Sequence, residues 1–139
     1  KIRKELNQMG ADPDIMYRPF ETLSGGERTK LMLAALFSAE DAYPLIDEPT
    51  NHLDLEGREA VASYLAGKSG FIMISHDREF LDRCTDHTLV ITKTGLELVN
   101  ASYSVWWDNN EARMESEQSR NDQLKKVCLQ SPSISLPMK

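Results

Sequence analysis

Pro44-Leu45-Ile46-Asp47-Glu48-Pro49-Thr50-Asn51-His52-Leu53-Asp54 is the stretch on which the fold turns. It opens in a short apolar run, Tyr43 to Ile46, that ends in two acids. A run of that length closed by turn residues reads as a buried strand, although Pro44 cannot donate to a ladder. After the turn, Leu55–Ala66 reads as a helix with Val61 and Leu65 on one face and Gly67 behind its end. Phe71 to Ile74 repeats the strand pattern and is closed by Ser75-His76-Asp77, with a short helix over 78–84. Strand, helix, strand, helix implies an α/β fold with parallel strands. Open parallel sheets place ligand chemistry at the carboxyl ends of their strands, so the two polar strand ends are expected to face one site.

On the N-terminal side, residues 1–9 predict a short helix with Gly10 just past its end, and 11–22 predict a loop broken at Asp12-Pro13. Ser24 and Glu27 have the spacing of a capping box. The helix they open carries Leu31, Leu33, Ala34, Ala35, Leu36 and Phe37 and is expected to be largely buried. On the C-terminal side, Leu89–Thr92 and Leu96–Val99 predict a hairpin turned through Lys93-Thr94-Gly95, with Gly95 left-handed. From Val105 to about Val127 the chain is charged and helix-prone, with few apolar anchors. Residues 128–139 hold Pro132 and Pro137 and are expected to be a disordered or aberrant tail.

With 139 residues the chain suffices for one ordinary domain. A hydrophobic share of 40% supports a core and opposes wholesale disorder. Net charge of -6 opposes a generally basic, nucleic-acid-binding surface. Cys84 and Cys128 have no metal or disulfide spacing, which suits a reduced, cytoplasmic setting. No apolar stretch is long enough to span a membrane, and Lys1-Ile2-Arg3-Lys4 leads into no signal-peptide core. The chain starts on Lys, and it is expected to be part of something longer.

Three constellations carry chemistry. In Leu23-Ser24-Gly25-Gly26-Glu27 a helix start exposes unpaired N–H groups, and the glycines let a phosphate approach that backbone. An ordinary capped helix is the plain alternative. In the opening stretch, a strand delivers Asp47 to a Mg²⁺ shell beside phosphates, while Glu48 points elsewhere and can polarise a water for in-line attack. Two solvated acids at a strand end would be the plain alternative, and Pro49, Asn51-His52 and Asp54 in this order weigh against it. The third is His76, at the end of the next strand, where an imidazole can contact a terminal phosphate and hold Glu48 and its water in line. His52 reads as a turn residue and His87 as an exposed residue before a strand.

Together these elements resemble the ABC ATPase family over roughly residues 1–126. Leu23–Glu27 matches its signature motif, Leu45–Glu48 the end of its Walker-B strand, Leu53–Asp54 its D-loop and His76 its switch histidine. The resemblance implies a partial P-loop NTPase of ABC type: a parallel sheet with flanking helices, lacking the phosphate-loop half. It implies ATP and Mg²⁺ as cofactors. It further implies that Ser24, Gly25, Gly26 and Glu27 serve an ATP held by a second cassette domain, while Asp47, Glu48 and His76 serve the domain's own ATP.

Asn51-His52, Ser75–Asp82 and Ser102-Tyr103-Ser104-Val105-Trp106-Trp107 look like the ABC-F branch, whose proteins carry two cassettes in one chain and act on the ribosome. Arg18-Pro19-Phe20-Glu21-Thr22 resembles the Vga/Lsa-like ribosome-protection subgroup. On this reading residues 1–100 are the C-terminal part of the first cassette, and 101–127 begin the interdomain helical linker. The alternative is the ATPase subunit of an ABC membrane transporter. Departures from the family are plain: the chain has no Gly-x-x-x-x-Gly-Lys-Ser/Thr loop and no glutamine loop. The 139-residue chain alone is therefore expected to lack ATPase activity and to leave apolar surface uncovered.

Overall fold

The structure, a computed structural model, describes the backbone of residues 1–130 and the side chains of 1–125. It divides into two compact units, Lys1–Tyr103 and the segment from Ser104 onward.

The first unit begins with α1 (Ile2–Gln8), which ends at Gly10, whose φ of +64° needs no Cβ to be accommodated. The expected loop 11–22 contains two 3₁₀ turns, Pro13–Tyr17 and Phe20–Thr22. Asp12 caps the first through its side chain, and Pro13 supplies a preset first position. Local hydrogen bonding thus organises a segment whose apolar pattern is too sparse to predict a helix.

Helix α2 (Gly25–Ser38) follows, then β1 (Leu45–Asp47), α3 (Leu55–Ala66), β2 (Ile72–Ile74), α4 (Arg78–Cys84), β3 (Thr88–Thr92) and β4 (Gly95–Val99). β1 and β2 pair in parallel, with Leu45 opposite Ile72, Ile46 opposite Met73 and Asp47 opposite Ile74. The expected α/β class with parallel strands and flanking helices is therefore present.

One expectation needs correction: the two strands are covered on one face only. Ile46 is buried and Met73 packs against the core, whereas Leu45 is 73% exposed and Ile72 and Ile74 share its face. No element among the described residues covers that face. The core lies on the other side, where Leu6, Met9, Leu33, Val61, Leu65 and Phe80 meet. Phe37 packs edge-on against both Tyr64 and Phe71. α2 is likewise less buried than its composition suggests, because Met32 and Ala35 face outward.

The hairpin is antiparallel with Thr92 opposite Gly95, so the turn is Lys93-Thr94 alone. Gly95 has φ +152°, the extended glycine region rather than the left-handed one expected. Helix α5 (Tyr103–Gln130), which forms the described part of the second unit from Ser104 onward, is one continuous helix, starting two residues earlier and ending three residues later than its sequence suggested. The remainder of the expected tail, 131–139, lies outside the described residues.

Candidate functional site at the strand ends and the start of helix α2

Glu48 follows β1 directly and takes the left-handed conformation, φ +45°, which is uncommon for a residue with a Cβ. Its amide donates to the Ile74 carbonyl at 2.9 Å, continuing the sheet register by one step. The chain then folds back: Asn51 N–H donates to Glu48 O (3.4 Å) and Leu53 N–H to Thr50 O (3.2 Å). Pro49 and Thr50 are buried beneath the turn. Backbone strain of this kind persists only where the surroundings over-determine it, and it concentrates at functional sites.

The turn aims the Glu48 carboxylate at the end of β2. Ser75 Oγ donates to Glu48 Oε2 at 3.3 Å. His76 Nε2 lies 3.4 Å from Glu48 Oε1, within ion-pair reach but outside hydrogen-bond geometry. The Glu48 side chain is only 20% exposed, and its Oε1 is buried without a hydrogen-bond partner. An acceptor of that kind normally finds a donor, so Oε1 is a place where a water or ligand proton fits. The His76 side chain, by contrast, is 97% exposed. Asp47 ends β1 opposite Ile74 and is exposed beside this pair. The two strand ends therefore meet, as the topology predicted. Ser75 was missed as an individual partner; its signal was register, since the residue after Ile74 must face the residue after Asp47.

Ser24 N-caps α2 in a complete capping box: Glu27 N–H donates to Ser24 Oγ (3.2 Å), and Ser24 N–H donates to Glu27 Oε2 (2.7 Å). Arg18 holds the other oxygen of Glu27 at 3.1 Å and also donates to the Thr22 carbonyl. The Ser24 backbone and hydroxyl, then Arg18, keep the Glu27 carboxyl below the usual carboxylate range. Both oxygens of Glu27 are thus engaged in shaping the helix start. The first intrahelical bond is Arg28 N–H to Ser24 O, so the amides of Gly25 and Gly26 precede the ladder.

Ser24, Gly25, Gly26 and Glu27 line an open depression of about 420 Å³ together with Lys30, His52 and Asp54. Lys30, one turn into α2, adds a cation that the sequence did not single out. Asp54 N-caps α3, its Oδ1 accepting from Gly57 N–H at 2.8 Å. A Cβ on Gly25 would come 2.8 Å from His52 Cβ, so the glycine is required by the turn stacked on it. His52 is the turn residue expected, and His87 is exposed and bonded to Asp86. Asp47, Glu48 and His76 do not line the depression. The site residues fall into two groups, one on α2 and one on the strand ends.

No family model matches the chain. Individual relatives do. Ribosome protection protein VmlR of Bacillus subtilis is 38% identical over 134 residues, 95% of this chain. Erythromycin resistance ATP-binding protein MsrA of Staphylococcus epidermidis is 40% identical over 91 residues, 65% of the chain. ABC transporter F family member 4 of Dictyostelium discoideum is 35% identical over 96 residues, 68% of the chain. The chain belongs to the ABC-F family of ATP-binding proteins. It spans only 24%, 18% and 8% of the length of these three relatives. Among its described residues no helix is long and apolar enough to cross a membrane.

Proposed function

We propose that this ABC-F segment supplies two half-sites to a pair of ATP-hydrolysing cassettes that act on the ribosome. Glu48 is the general base that polarises the attacking water. His76 contacts the terminal phosphate and keeps the water and Glu48 aligned. Asp47 holds Mg²⁺ through water. One exposed carboxylate suits an ion that keeps most of its own water, and no group of three or more His, Cys, Asp or Glu forms a metal cage among the described residues. ATP, when bound, supplies the phosphate that is cleaved. Ser24, Gly25 and Gly26 present their hydroxyl and amides to the ATP of a second cassette in the same parent chain, Glu27 sets the helix start, and Asp54 fixes the turn beside it.

The observation that carries this reading is the buried, unpartnered Glu48 Oε1 at the meeting of the two strand ends, with His76 Nε2 3.4 Å away. An acid placed only for solubility would be exposed and solvated. The ribosome as partner, a cytoplasmic location and a role in translation or ribosome protection of the Vga/Lsa-like kind rest on the names of the relatives and on Arg18–Thr22. Residues 1–100 then belong to the first cassette and 101–127 to the helix leading out of it. The 139-residue chain alone has no ATPase activity, because it carries no phosphate loop.

The test is Glu48→Gln in the full-length protein. ATP binding and ATP-dependent co-sedimentation with ribosomes are retained, while turnover falls by ~10²–10⁴, the usual loss for a general base. Turnover at the parental rate would show that Glu48 is not the base. Sedimentation with membranes and not ribosomes would favour the transporter alternative.

A further inference from the structure

Between the two turns that carry the site runs a closed circuit of hydrogen bonds, and one residue outside the motifs completes it. Arg58, in the first turn of α3, donates from Nε to the Leu53 carbonyl at 3.3 Å and from its terminal nitrogen to Asp77 Oδ2 at 3.2 Å. The other oxygen of Asp77 caps α4 through Phe80 N–H at 3.0 Å. The Asp77 amide donates to Ser75 Oγ at 3.1 Å, and Ser75 donates in turn to Glu48 Oε2. From Glu48 the backbone turn returns to Leu53. The circuit occupies Oε2 and leaves Oε1 for its ligand.

We propose that Arg58 is a positioning residue for Glu48 and His76: by tying the turn after β1 to the turn after β2, it fixes the direction in which the Glu48 carboxylate points. The inference rests on the reading of Glu48 as the base. Its physical ground is geometric. Ser75 and His76 follow β2, and Asp77, next in the chain, caps α4 while accepting from Arg58. A planar guanidinium can hold a carbonyl and a carboxylate at once, which fixes the distance between them. An ammonium on a flexible stem cannot reproduce that spacing. The same turn packs on the glycines of α2 through His52 and Leu53, so Arg58 also sits between the two half-sites.

The Arg58 side of the ion pair faces solvent, its side chain 45% exposed against 24% for Asp77, so the pair contributes modestly to global stability. This separates positioning from folding. The experiment measures kcat and KM for ATP in the full-length protein for wild type, R58Q, R58K, D77N and R58Q/D77N, with thermal unfolding in parallel. Asparagine caps a helix as well as aspartate, so D77N removes the ion pair without the cap. R58Q is expected to lower kcat by ~10–10²-fold, the loss that a slightly misplaced catalytic group produces. KM for ATP and the unfolding midpoint stay near their wild-type values. R58K recovers only part of the loss, and the double variant is no worse than R58Q, as partners in one network should be. An R58Q enzyme within about two-fold of wild-type kcat, or additive losses in the double variant, overturns the inference while leaving Glu48 as the base. A wild-type protein that turns over no ATP overturns the reading of Glu48 itself, and this inference with it.

Discussion

Glu5 offers a quantitative test of how α1 is held. Its Oε2 accepts from Tyr64 Oη at 2.7 Å and from Lys68 Nζ at 2.5 Å, and both partners lie at the C-terminal end of α3. The Lys68 ammonium also sits 4.6 Å above the Tyr64 ring. The Glu5 side chain is 13% exposed and that of Lys68 22%, so water replaces lost partners poorly. Replacement by Gln keeps the shape and one acceptor oxygen but removes the charge. Hydrogen bonds to charged groups are worth about 1.5–3 kcal/mol each. With one contact weakened and one largely lost, Glu5→Gln should destabilise the folded chain by about 2 kcal/mol at neutral pH.

The bonded Lys68 ammonium holds the Glu5 carboxyl below its ordinary value, against the opposing effect of burial. A carboxyl whose folded pKa is depressed stabilises fully above its unfolded pKa and ceases to do so as pH falls through the folded one. Burial and then the Glu5 contact push the Tyr64 hydroxyl far above its usual pKa, so it remains a donor throughout. Urea unfolding followed by circular dichroism should therefore show the full difference at pH 7. The difference should shrink steadily as pH falls from about 5 to about 2. A loss below about 0.5 kcal/mol at pH 7, as for an ordinary surface substitution, or an equal loss at both ends of that range, would refute the reasoning.

Further tests concern the helix starts and the core. Ser24→Ala removes the cap of α2 and should cost about 1 kcal/mol in unfolding free energy, while Ser24→Asn should restore most of it. Gly25→Ala places a methyl 2.8 Å from His52 Cβ; overpacking of that kind costs about 1–3 kcal/mol, and in the full-length protein it should reduce turnover by disturbing the Asn51–Asp54 turn. Gly10→Ala has open space for its methyl but an unfavourable φ, so it should lose only about 1 kcal/mol, all of it from backbone strain. Burial pushes the Cys84 thiol up to about 11, and its Sγ donates to the Phe80 carbonyl. Alkylation at Cys84, followed by peptide mass spectrometry, should be slow at pH 8 and become fast only in denaturant.

Much of the architecture was legible because its signals are local. Ser24 with Glu27 defines a helix start through bonds three residues apart, and both bonds are present. Two apolar runs separated by a helix-length segment imply parallel pairing, and Leu45–Asp47 pairs with Ile72–Ile74 in that sense. Less was legible wherever the answer depended on what covers a surface. Alternation along a three-residue strand is too short to reveal that Leu45, Ile72 and Ile74 share an open face. The 3₁₀ turns before α2 arise from single side-chain caps and not from hydrophobic periodicity.

By itself, the sequence determined the order of the elements, the α/β class, and the arrival of Asp47, Glu48 and His76 at strand ends on one sheet edge. Those are consequences of chain direction and period, which a linear string carries in full. Only the tertiary structure decided that Glu48 turns left-handed, that one of its oxygens is held by Ser75 while the other is buried without a donor, and that Arg58 closes the circuit behind them. The Arg58–Asp77 and Ser75–Glu48 bonds join residues 19 and 27 positions apart, and their geometry is set by packing between elements that no local pattern encodes.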